Sequence, residues 1–153
     1  MFPEDAAKEL CYDEKPISAT EVKSLFTPIF SAEGTNRRTK EEDLMFNWHN
    51  FLDKVDRRKI LYPKLFADEV DKLFTLEDIM QFTTGSRGVP VIGYEHTGSI
   101  EFNHEASKGR RLNANTCAIQ LVFPVNERYC SSLDSFAENI VEDILNGPTF
   151  GMV

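Results

Sequence analysis

Residues 110–129, "RRLNANTCAIQLVFPVNERY", pass from a basic, asparagine-rich lead through a cysteine into an apolar run. Leu121, Val122 and Phe123, bounded by polar turn residues on both sides, predict a buried strand over Cys117–Phe123. That reading leaves Cys117 open between two roles. A cysteine entering an apolar strand is an inert core residue, unless it is exposed and can reach the thiolate, when it is a nucleophile. The neighbouring "KGRR", residues 108–111, is a basic cluster in an acidic chain. It reads as a solvated loop, as a surface for an acidic partner, or as positive charge that lowers the pKa of the nearby thiol.

The same period-two or short apolar pattern predicts strands at 89–94 and 100–104, separated from each other and from the third by Gly, Ser and Asn. Helices flank them. "TLEDIMQFTTG" opens on a Thr75 cap with Asp78 three residues on and ends at Gly85, a left-handed terminator. "EEDLMFNWHNFLDKV" sets Leu44, Trp48, Phe51, Leu52 and Val55 on one stripe. "SATEVKSLFTPIF" begins with an S-x-x-E box at Ser18 and Glu21 and carries Val22, Leu25, Phe26 and Ile29 at helical spacing. The last helix is expected to be capped by Ser131, with Leu133, Phe136, Ile140, Val141, Ile144 and Leu145 on its apolar face and a stop at Asn146–Pro148. Between the first two helices, "SAEGTNRRTKEED" has no apolar side chain beyond Ala32 and reads as a flexible connection. Residues 56–74 have no clean period, and Pro63 prevents a single helix there.

The chain has 153 residues, 41% of them hydrophobic and 27% charged, as one soluble domain would have. Its net charge of -8 argues against a nucleic-acid surface, which needs a positive field to displace counterions from phosphate. No stretch approaches the roughly 20 apolar residues of a membrane span, and the N-terminus lacks the layout of a signal peptide, so an intracellular protein is expected. Cys11, Cys117 and Cys130 are too few and too widely spaced for a disulfide framework or a zinc site, and reduced thiols are expected. His49, His96 and His104 show no paired metal spacing. "TGSRG" lacks the lysine and following helix of a phosphate loop, so neither a metal nor a nucleotide cofactor is expected.

Three blocks carry more than their pattern. Phe82, Thr84, Gly85, Ser86, Pro90, Gly93 and Tyr94 stand in the arrangement F-x-T-G-S-x-x-x-P-x-x-G-Y. Thr116, Cys117, Leu121, Phe123 and Pro124 form T-C-x-x-x-L-x-F-P, and Phe150 is fourth from the end. Their order and spacing resemble the C-terminal lobe of the HECT-type ubiquitin ligases, most of all the divergent branch around the G2/M-phase-specific ubiquitin ligase. Four departures stand out: Asn115 replaces the histidine often found two residues before the cysteine, "PVNERY" stretches the segment after the loop, residues 56–74 are longer than most members need, and, the largest, at most the last thirty or so residues of the family's N-terminal lobe are expected here.

The resemblance implies an α/β fold, a small mixed sheet surrounded by helices. It divides the chain into the end of an N-terminal lobe (1–33), a hinge (34–40) and the C-terminal lobe (41–153). It makes Cys117 the thioester nucleophile that takes ubiquitin from a conjugating enzyme and passes it to a substrate lysine. Thr116 would bond the backbone or the developing oxyanion, and Phe150 would aid the transfer step or merely pack the last helix. The implied partners are ubiquitin, the conjugating enzyme and a protein substrate; the implied location is the cytoplasm, with the nucleus as a second candidate. A thiol attacking a thioester needs little activation, which fits the lack of a Cys–His pair and disfavours a cysteine hydrolase. The alternative is a catalytically incomplete piece that serves as a ubiquitin- or protein-binding module.

Overall fold

Apolar residues at helical spacing and a few short β-branched or aromatic runs build a mixed α/β unit, seen in a computed structural model that describes residues 16–87, 98–107 and 109–147. Among the described residues, four helices cover a four-stranded sheet. In chain order these are α1 (Ala19–Leu25), β1 (Phe26–Pro28), α2 (Asn36–Asp56), α3 (Leu76–Thr84), β2 (Gly98–Asn103), β3 (Asn113–Asn115), β4 (Gln120–Pro124) and α4 (Leu133–Asn146). The sheet order is β1-β2-β4-β3, with β1, β2 and β4 parallel and β3 antiparallel to β4.

β4 sits inside the sheet, so its apolar run is buried: Leu121 and Phe123 are inaccessible to solvent. The register pairs them with Ile100 and Phe102 on the same face of β2. Against that face an aromatic cluster assembles. Trp48 of α2 meets Phe123 edge-on at 5.4 Å between centroids, and Phe136 of α4 stacks on Phe123 at 6.2 Å. Phe51 bridges Phe74 and Phe136. Aromatic pairs at these separations add to the burial term, so α2 and α4 are held to the sheet by one aromatic cluster.

Five sequence expectations are corrected. The first helix stops at Leu25: Thr27 precedes Pro28 and is steered out of helical geometry, so the chain runs as β1 and Ile29 is exposed. The 34–40 connection is helical from Asn36. The Thr35 hydroxyl caps the Arg38 amide, and the charged residues that follow are good helix formers without any apolar stripe. The third strand starts at Gln120, not Cys117. The last helix is capped by Ser132, whose hydroxyl accepts from the Ser135 amide, one residue later than expected. β1 and β3, three residues each, were not expected at all.

Residues 57–75 prove to be a closed excursion. Leu61 bridges Leu73, the Tyr62 amide donates to the Lys72 carbonyl at 2.8 Å, and the Phe74 amide donates to the Ile60 carbonyl at 2.9 Å. Phe74 anchors its return in the core, while Leu65 and Val70 project into solvent. The strand expected at 89–94 lies outside the described residues.

Candidate active site around Cys117

β3 and β4 form a hairpin whose last pair is Asn115 with Gln120, which leaves residues 116–119 as a four-residue turn. Cys117 and Thr116 lie in that turn and are exposed. Of the two roles left open by pattern, burial in a strand is therefore excluded. The turn is held at both ends. The Asn115 side-chain oxygen accepts from the Ala118 amide at 3.4 Å, as short polar side chains do in turns. At the other end Ile119 adopts φ +49°, and its carbonyl accepts from the Ser99 amide at 3.0 Å. A β-branched residue in the left-handed region is a true outlier, at a cost of about 1–2 kcal/mol.

Beside Ile119, Gly98 opens β2 with no side chain to intervene. A Cβ there would lie 2.6 Å from the Ile119 carbonyl oxygen and 2.7 Å from its Cγ2. Neither Gly98 nor Ile119 was singled out from sequence. The available signal was a glycine directly before an apolar β pattern, which marks close approach of another backbone.

Thr116 has no hydrogen-bond partner among the described residues, so its hydroxyl is free to bond a ligand. Cys130 is exposed as well, in another setting. It follows the turn at Asn126–Tyr129, borders a groove with Leu44 and Phe46, and burial pushes its thiol up from the ordinary cysteine value. Cys11 and Phe150 lie outside the described residues, as do Pro90, Gly93, Tyr94, His96 and Lys108.

Of the basic cluster, Arg111 is engaged by acidic side chains. Arg111 extends to α4, where its Nη1 is 3.3 Å from both Glu142 and Asp143. There the Asp143 carboxylate, shielded from solvent, also receives Arg128 at 2.8 Å and the Tyr129 hydroxyl, and that hydroxyl accepts from the Leu112 amide at 2.6 Å. Burial, and then Asp143, push the Tyr129 phenol far above its usual value, so it stays protonated and donating. The network ties the chain entering β3 to α4 and braces the hairpin from below.

The first motif block has a local reason as well. Thr84 donates its hydroxyl to the Met80 carbonyl at 2.8 Å and accepts from the Ser86 amide at 3.1 Å, while Gly85 takes φ +81°. Thr-Gly-Ser is thus a helix terminator. Phe82 is buried, as expected of a core residue. Arg87 reaches back to Asp78 at 3.0 Å, and Tyr62, pushed up to about 12 by burial and then by Asp78, belongs to the same group.

Neither described histidine accompanies Cys117. His104 follows the far end of β2, where Asn103 pairs with Pro124, about 13 Å along β4 from the cysteine turn. Its Nε2 meets Glu41 at 2.5 Å. His49 lies on α2 beside Lys23 and Asp53, and its pKa is lowered by burial and then by Lys23. Among the described residues no three His, Cys, Asp or Glu side chains gather as a metal site requires, and no helix is long and apolar enough to cross a membrane. No protein-family model matches the chain, and no curated protein matches it.

Proposed function

We propose that this chain is the cysteine-bearing lobe of a HECT-type ubiquitin ligase and that Cys117 carries ubiquitin as a thioester. The observation that supports this reading most is the placement of Cys117: an exposed thiol at the tip of a turn whose two ends are hydrogen-bonded to the sheet. Function on a loop held by a rigid scaffold is the usual arrangement for a catalytic group. In the first step the Cys117 thiolate attacks the carbonyl carbon of the ubiquitin thioester on the conjugating enzyme. The new C–S bond forms as the old one breaks, and the conjugating enzyme's cysteine leaves as a thiolate. In the second step a substrate lysine amine attacks the same carbon, the Cys117 thiolate leaves, and the amine's proton passes to solvent or to the departing sulfur. Each step exchanges like for like or runs downhill to the amide, so the thiol needs no paired base to activate it.

The Thr116 hydroxyl, next to the nucleophile and exposed, is the donor we assign to the oxyanion that forms at each step. The partners are ubiquitin, a conjugating enzyme and a protein substrate; the reaction needs no cofactor.

Mixing the chain with ubiquitin-charged conjugating enzyme and resolving the products on a non-reducing gel tests the reading. An adduct that dithiothreitol removes is expected, lost in Cys117→Ala and kept in Cys11→Ala and Cys130→Ala. An adduct that appears only when a complete N-terminal lobe is fused upstream keeps Cys117 as nucleophile and makes the lobe dependent on that delivery platform. No adduct in either form rejects the transferase and leaves a ubiquitin- or protein-binding module.

A further inference from the structure

We infer that Gly98 and Ile119 form a backbone lock that fixes the direction in which Cys117 is presented, which makes them positioning residues for acyl transfer; the inference rests on Cys117 being the thioester nucleophile. Ile119 stands two residues after Cys117 and adopts φ +49°, a conformation that L side chains avoid. Something must hold it there, and two contacts do. Its carbonyl accepts from the Ser99 amide at 3.0 Å. Its carbonyl oxygen and Cγ2 also fill the space that a side chain at position 98 would occupy, 2.6 and 2.7 Å from where a Cβ would stand. Gly98 is not itself in the left-handed region, so glycine is required for this approach and not for its own backbone freedom. Phe26 closes the third side of the seat at 2.9 Å from the same point, so β1 also bears on the turn.

With Asn115 holding the amide of Ala118 on the near side, Cys117 lies between two fixed points. If Ile119 relaxed to an ordinary φ, the peptide that follows Ala118 would rotate and the thiol would point elsewhere. A small reagent tolerates that change. A thioester at the end of another protein does not, because sulfur and carbonyl carbon must meet at about 3–3.5 Å in one orientation, and a misplacement of about 1 Å costs on the order of 100-fold.

The test uses ubiquitin bearing a small-thiol thioester as acyl donor, and iodoacetamide as the probe that ignores orientation. In Gly98→Ala, the single-turnover transfer rate to Cys117 is expected to fall at least tenfold, while the alkylation rate of Cys117 stays within twofold and hydrogen exchange at the Ser99 amide accelerates. Ile119→Gly, which keeps access to the left-handed backbone but removes Cγ2 from the seat, serves where Gly98→Ala does not fold; transfer falls several-fold with alkylation again unchanged. Transfer at the wild-type rate in the folded variants overturns the lock, as does a loss of transfer matched by an equal loss of alkylation. No transfer to the wild-type chain, either alone or with a complete N-terminal lobe fused upstream, overturns instead the thioester reading on which the lock's role depends.

Discussion

Asp143 has its carboxylate wholly inside the protein, and its neighbours make that tolerable: two guanidiniums, a phenol and a backbone amide converge on two oxygens. Removing one donor and removing the acceptor should therefore differ in size. Tyr129→Phe takes away one hydroxyl and leaves the Leu112 amide only a 3.4 Å contact with Asp143, at a cost of about 1–3 kcal/mol in unfolding free energy. Asp143→Ala strands Arg128 in a half-buried position and should cost about 3–5 kcal/mol. Urea unfolding of both variants checks the order; equal costs would mean that the arginines turn to solvent and the network is weaker than its geometry. Sequence reading passed over this cluster because it attends to apolar positions. Asp143 sits three residues from Ile140 and next to Ile144, on the buried stripe of α4, and a charged residue on such a stripe was the available sign that a partner waits inside.

Elements with their own local signals were legible, and elements defined by their neighbours were not. α3 is the clearest success: Thr75 and Asp78 form a reciprocal capping box, and Gly85 closes the helix in the left-handed conformation, as the spacing predicts. Gly85→Ala forces that conformation on a residue with a Cβ and should cost about 1–2 kcal/mol, read as a lower Tm in a thermal melt. An unchanged Tm would show that the helix end refolds into an ordinary turn. β1 and β3 carry no such signal. Asn113, Ala114 and Asn115 have neither alternation nor branched side chains, and they are a strand because β4 offers its edge. The excursion at 57–75 fails for the same reason, since it is closed by the bridge between Leu61 and Leu73, not by a local period. The candidate site divides likewise: Cys117 and Thr116 could be picked from the motif, but the means of holding their turn, Gly98 from another strand, belongs to the tertiary fold.

At the scale of the molecule, Glu41 joins three parts of the chain. From inside α2 it accepts both the amide and the hydroxyl of Ser31 at 2.7 Å and meets His104 beyond the end of β2. Burial alone would raise its pKa, but the Ser31 amide, His104 and the Ser31 hydroxyl outweigh it and hold the carboxyl below the ordinary value. A carboxylate depressed in the folded state contributes its stability in full above the unfolded pKa and loses it as pH falls through the folded value. Between pH 7 and 3 the urea midpoint of the wild type should therefore fall more steeply at the acid end than that of Glu41→Gln; parallel curves would assign the acid sensitivity to other carboxylates. A different consequence follows from β1. Phe26 pairs with Gly98, so the strand synthesised first has no partner until the whole of α2 and α3 and the start of β2 have been made. The β3–β4 hairpin, closed by four residues, can zip within microseconds of emerging, whereas β1 waits on a long loop closure. During synthesis Phe26 waits without its strand partner until Gly98 has been made, so pairing β1 with β2 is the long-range closure on which the edge of the sheet depends.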